Sequence, residues 1–154
     1  MSIKEYCQSK QLRVSAASEV EILHQQFIEE IVAFLPTLIK EPFSVFREVI
    51  LEKNKLFAGA VDIIALTPFD LYIFEGKVLT SRNIHNIDRK RTNIREQLRK
   101  SRDYFKNNFG VKSKCAGLYK ELSTNKIYNV TKRGKEEFSF SSSSNIDRIF
   151  IYDF

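Results

Sequence analysis

The stretch Gly59-Ala60-Val61-Asp62-Ile63-Ile64-Ala65-Leu66-Thr67-Pro68-Phe69-Asp70-Leu71-Tyr72-Ile73-Phe74-Glu75-Gly76-Lys77-Val78 decides the fold. It reads as two apolar, β-branched strands, over residues 57–66 and 71–80, joined by the turn signal Thr67-Pro68-Phe69-Asp70. A link this short pairs neighbouring strands antiparallel, because parallel partners need a long crossover. Each strand carries charge where none is cheap. Asp62 stands among Val61, Ile63 and Ile64, and an isolated acid there is costly to bury without a partner or a cation. Glu75 and Lys77 lie two residues apart, so they project from one face of their strand and Gly76 from the other. Pairing through the Pro68 turn lets Asp62 and Glu75 converge. Two adjacent carboxylates repel unless a divalent cation lies between them, and hard oxygen ligands with open water positions suit Mg²⁺ or Mn²⁺. A buried Glu–Lys ion pair is the plainer reading. An acid-x-Lys triplet is common enough that Asp88-Arg89-Lys90 supplies a second one at a helix start.

Upstream, a third run over residues 43–51 precedes the turn-like Glu52-Lys53-Asn54-Lys55, extending the meander to three strands. Before it, Ser18-x-x-Glu21 has the form of a capping box, and Val20, Leu23, Phe27, Ile31 and Phe34 recur at helical steps. This helix is expected to stop before Pro36, which cannot continue the hydrogen-bond ladder. Residues 1–15 are polar and are expected to form a loosely held arm. Downstream, a polar loop over 81–88 leads into a helix over about 89–108, capped by Gly110, with Ile94, Leu98, Ser101 and Phe105 as its inward stripe. Residues 114–122 read as a fourth strand, reached across a helix, a connection long enough to let it run parallel to the third. Residues 127–130 and 146–152 read as weaker strands around the serine run at 141–144. The order is α-β-β-β-α-β: an α/β chain with a mixed central sheet flanked by helices and extra strands at the C-terminal end.

The 154 residues, 43% of them hydrophobic, suit one core and one domain. No apolar run approaches the roughly 20 residues of a bilayer span, and the polar start lacks the apolar stretch of a signal peptide. Two cysteines, Cys7 and Cys115, cannot make a disulfide scaffold or a four-ligand zinc site. A cytoplasmic protein with no membrane partner is expected. The net charge of +6 is local. Residues 82–106 carry nine Lys or Arg against three acids, a surplus equal to that of the whole chain. A stripe of this kind attracts polyanions, although a solvated basic helix face has the same composition.

Asp62 followed after twelve residues by Glu75-Gly76-Lys77, within α-β-β-β-α-β, resembles the PD-(D/E)XK nuclease superfamily of restriction-endonuclease-like folds over residues 18–120. Val61 replaces the proline that normally precedes the aspartate. The resemblance implies that Asp62, Glu75 and the Gly76 carbonyl ligate the metal, while Lys77 orients the attacking water and the scissile phosphate. Gln97, on the helix after the Glu-x-Lys strand, resembles a site glutamine of RecB-like members. The tyrosine that often follows it there is replaced by Ser101, with Tyr104 nearest. His24 on the first helix resembles that branch's histidine ligand, Glu19 is the alternative used by other members, and Glu48 on the first strand matches an acid often kept near the metals.

The function implied is metal-dependent hydrolysis of DNA, with Arg91, Arg95, Arg99, Arg102 and Lys106 holding the backbone without reading bases. A nucleic-acid-binding or assembly subunit without catalysis, and a ribonuclease, are the alternatives. One small domain covers little DNA, so a homodimer or larger homo-oligomer is expected.

Overall fold

The computed structural model describes residues 1–12, 18–80, 87–130, 135–140 and 150–151; the side chains of 87–92, 135, 150 and 151 lie outside that description. The elements are α1 (Ile3–Ser9), α2 (Glu19–Leu38), β1 (Ser44–Lys53), β2 (Leu56–Leu66), β3 (Leu71–Leu79), α3 (Ile87–Phe109), β4 (Ser113–Glu121), β5 (Lys126–Val130), β6 (Lys135–Phe138) and β7 (Phe150–Ile151). The sheet runs β1-β2-β3-β4-β5-β6, with β7 also pairing β4. β1 to β3 form an antiparallel meander, and β4 lies parallel to β3 after the α3 crossover. The protein is therefore α/β, with a mixed sheet flanked by helices.

Local chemistry accounts for the boundaries. Asn54 and Lys55 both adopt positive φ (53° and 64°) between the partnered Lys53 and Leu56, a two-residue turn whose twist matches that of the strands. Ser18 caps α2 by accepting a hydrogen bond from the Glu21 N–H at 3.2 Å. Gly110, at φ 67°, ends α3.

Two apolar layers clasp the sheet. On one face Phe27, Ile28, Ile31 and Leu35 of α2 pack on Ile63, Ala65, Phe74 and Leu118. On the other, Ile94, Leu98 and Phe105 of α3 pack with Ile64, Ile73, Cys115 and Tyr119. Full burial of each such side chain contributes about 1.5–3 kcal/mol, which is why β3, buried on both faces, is almost continuously apolar. At Gly117 even a methyl group would run into Ile94, so α3 sits directly on the β4 backbone.

Two expectations need correction. Residues 1–12 are no loose arm. Ser2 caps α1, Tyr6 and Cys7 are buried, and the Tyr6 hydroxyl donates to the Ile50 carbonyl at 2.9 Å. The chain then pairs with the edge of β1. Ile50 N–H donates to the Lys10 carbonyl at 3.0 Å and Leu12 N–H to the Glu48 carbonyl at 2.9 Å. A seven-residue helix is too short to show its period, and only its two buried residues carry the signal. Second, α2 does not stop before Pro36 but runs through it to Leu38. The proline forfeits one donor. The last turn still closes through Ile39 N–H to the Leu35 carbonyl at 2.8 Å, and buried Leu38 and Ile39 hold it down.

The loop positions 81–86, the serine run at 141–144 and most of 146–152 lie outside the described residues; within the last, residues 150–151 form β7.

Candidate functional site

The ladder between β2 and β3 spans only Ile63↔Phe74 to Leu66↔Leu71. On the far side of β3 the pairing with β4 continues through Leu79↔Glu121. Asp62 and Glu75 are thus the first residues past the end of a ladder, where two strands diverge. Backbone groups released there need other partners. The Gly76 N–H finds one in Asp62 Oδ2 at 2.9 Å, and the Gly76 carbonyl lies 3.0 Å from His24 Nε2. The same ring nitrogen is 3.5 Å from Asp62 Oδ2. A carbonyl only accepts, so the hydrogen is assigned to Nε2.

Gly76 also explains how His24 reaches the strand. Its α-carbon faces α2, where an added Cβ would stand 3.0 Å from Ile28 Cδ1 and 3.3 Å from Ile31 Cδ1. The absent side chain lets the helix come down onto the strand.

Glu75 is 2% exposed, and its Oε1 is buried without a hydrogen-bond partner. Burial pushes its carboxyl well above the usual range, and the adjacent Asp62 charge and the hydrogen bond to Asp62 push the same way. Burial alone would raise Asp62 too. Hydrogen bonds from His24 and Glu75, the His24 charge and the Gly76 N–H overcome it and hold Asp62 low. The pair therefore shares one proton, carried by Glu75. His24 is raised, chiefly by its hydrogen bond to Asp62 against the opposing effect of burial. Glu48 is raised by its own burial and then by Asp62, with His24 and Lys77 acting against this. Glu48 stands beside Asp62 across the β1–β2 ladder, between Arg47↔Ile63 and Val49↔Val61. It holds a left-handed φ of 49°, unusual for a side chain of its size.

Asp62 and Glu75 open onto a cleft of about 490 Å³, and Gly76, His24 and Glu48 stand beside them. Asp62, Glu75 and Lys77 line its β2–β3 wall; Gln97, Lys100 and Ser101 line its α3 wall; Phe57 and residues 58–60 extend it towards the β1–β2 hairpin. The structure thus brings together Asp62, Glu75, Lys77, Gly76, His24, Glu48 and Gln97. It keeps Glu19 apart, in a separate cleft with Leu23, Thr80 and Leu122.

The basic residues divide. At about 100° per residue, Arg95, Arg99, Arg102 and Lys106 centre roughly 160° around α3 from Gln97 and Lys100. The stripe expected to hold DNA at the site therefore occupies the other flank of the helix. There Arg102 reaches Asp103 Oδ1 at 3.1 Å and its charge acts on Cys115. The side chain of Arg91 lies outside the described residues. Among the described side chains of α3, the cation that lines the cleft is Lys100, across from Lys77 of β3. Its signal was its place three residues after Gln97, on the same side of the helix.

The donor set fits a divalent cation bound mainly by oxygen. Two carboxylates and the Gly76 carbonyl converge, and one buried carboxylate oxygen has no partner. Among the described residues no group of three or more His, Cys, Asp or Glu side chains forms a metal cage. Water would have to complete the shell, as is usual for Mg²⁺. Among the described residues no helix is long and apolar enough to cross a membrane. No protein-family model matches the chain, and no curated protein matches it.

Proposed function

We propose that the protein is a divalent-metal-dependent nuclease that hydrolyses phosphodiester bonds in DNA, on a restriction-endonuclease-like scaffold. The observation that carries this reading is the pair Asp62–Glu75. Two carboxylates share a proton at the mouth of splayed strands, one oxygen is unpartnered, and the Lys77 ammonium borders the same cleft. A structural ion pair would have satisfied Glu75 with Lys77; here its side-chain hydrogen bond is to another acid, Asp62. The element order around the pair agrees with the PD-(D/E)XK resemblance of the sequence.

Asp62, Glu75 and the Gly76 carbonyl would hold Mg²⁺ or Mn²⁺, with His24 beside the same oxygens. The bound ion would acidify a water and offset charge on the phosphate. Lys77 would orient that water and, with Lys100 on the opposite wall, stabilise the extra negative charge that develops at phosphorus. Gln97 would position the strand by hydrogen bonding. Glu48, half-buried and raised above the ordinary carboxylate range by its burial, would exchange a proton with solvent at the edge of the site.

One observation favours a binding subunit without catalysis: His24 already bridges Asp62 and the Gly76 carbonyl, closing the site in hydrogen bonds. Purified protein incubated with Mn²⁺ and plasmid or single-stranded DNA separates the two. Cleavage that is lost in Glu75→Ala and Lys77→Ala supports the nuclease. Substrate bound yet intact, or variants that cut as fast as the parent, overturns it. RNA in a parallel reaction distinguishes a ribonuclease.

A further inference from the structure

We propose that Phe57 is a base-stacking residue, so that the cleft takes a single DNA strand and holds one of its unpaired bases against the Phe57 ring. This rests on the nuclease reading for the identity of the polyanion, and it specifies which form of DNA the site accepts.

Phe57 precedes Asp62 by five residues, an odd number, so in an unbroken strand the two would project from opposite faces. Both nevertheless line the same cleft. A bulge interrupts the strand between them. Leu51 partners Gly59, and the next residue, Glu52, partners Phe57, leaving Ala58 as an extra residue in β2. Gly59, at φ 140°, supplies a backbone conformation that other residues resist. Bulges re-aim side chains beside active sites. The side chain next to this bulge is a phenyl ring 72% exposed, which burial does not explain.

Its surroundings fit a nucleic-acid strand. Lys77 and Lys100 line the cleft with it, and Lys53 and Lys55 are exposed at the hairpin turn. The one acid in this part of the hairpin, Glu52, is paired with Lys10 at 2.9 Å. Cations track the backbone, while an aromatic face offers stacking that every base can use. A duplex keeps its bases stacked inside and has none to offer. At about 3.3 Å per residue, Phe57 lies roughly 15 Å along the strand from Asp62. The stacked base therefore belongs to a nucleotide further along the chain than the one cut.

The test is anisotropy of a labelled oligonucleotide, single-stranded or annealed as a blunt duplex, titrated in EDTA with the parent, Phe57→Ala and Phe57→Tyr. Melting curves check that each variant folds, as expected for an exposed position. Phe57→Ala should raise the single-strand Kd about 5- to 150-fold, leave the duplex Kd within experimental scatter, and be rescued by Phe57→Tyr. A fluorescent purine analogue walked along the strand should be quenched at one position by the parent and at none by Phe57→Ala. An unchanged single-strand Kd, an equal loss for both DNA forms, no rescue by tyrosine, or a parent that prefers duplex would each overturn the proposal. Intact DNA in Mn²⁺ with the affinity difference preserved would instead count against hydrolysis alone.

Discussion

Replacing Glu75 by Gln should stabilise the metal-free protein and at the same time abolish its response to a divalent cation. In the parent the Glu75 carboxyl is raised well above its ordinary value of 4.5 in the fold. Between that ordinary value and the raised one, the folded state holds one more proton than the unfolded chain. Stability is then full below the ordinary value and falls by about 1.4 kcal/mol per pH unit until the folded value is passed. Gln cannot ionise, so Glu75→Gln escapes this slope. For a chain of this size each kcal/mol moves the melting temperature roughly 2–4 °C, so the variant should gain on the parent by about 3–6 °C per pH unit. Manganese reverses the order, because a bound cation takes the proton's place. At a hundredfold excess over Kd it adds about 2.7 kcal/mol to the parent and nothing comparable to Glu75→Gln. Thermal melts of both proteins from pH 5 to 8, in EDTA and in Mn²⁺, read all of this. Parallel melting profiles in EDTA, or equal gains in Mn²⁺, would refute the shared-proton account of the pair.

Lys77→Ala should keep Mn²⁺-induced stabilisation but lose cleavage by roughly 10²-fold or more, the scale of losing one electrostatic donor at a developing charge; a variant that cuts normally would show the ammonium to be structural. Lys100→Ala should weaken DNA binding and lower the slope of log Kd against log salt by about one for duplex, or about 0.7 for single strands, while Arg99→Ala leaves the site's affinity nearly unchanged. Salt titrations of both variants decide which flank of α3 meets the strand. Gly117→Ala should cost about 1–3 kcal/mol in denaturant melts, because its new methyl group would drive Ile94 and α3 off the sheet; an unchanged midpoint would mean that the layer yields easily.

The meander and the acidic pair were legible because they violate composition locally: charges inside β-branched runs, and Pro68 between them, say more than any propensity. The inward stripe of α3 was equally plain, since Ile94, Leu98, Ser101 and Phe105 are all buried. That stripe already fixed the angular position of every residue on α3. It does not give the flank on which the cleft opens, so the sequence points to the arginines while the cleft is lined by Lys100. His24 and Glu19 stand as alternatives in the sequence because the resemblance offers either, and helical phase alone has no neighbour to choose between them. The bulge beside Phe57 leaves almost no trace beyond Gly59. β6, with three charges in its four residues, has the look of a turn and becomes a strand by pairing with β5.

The clasp between Lys10–Leu12 and β1 has a further consequence. Its hydrogen bonds fall on Glu48 and Ile50, and the Gln11 side chain also accepts from the Arg47 N–H at 2.9 Å. That rim of the sheet is thus sealed by the chain's own beginning over the very residues that flank the acids. Two copies cannot join into one continuous sheet there without first peeling that seal away, so assembly across this rim would disturb the chemistry beside it.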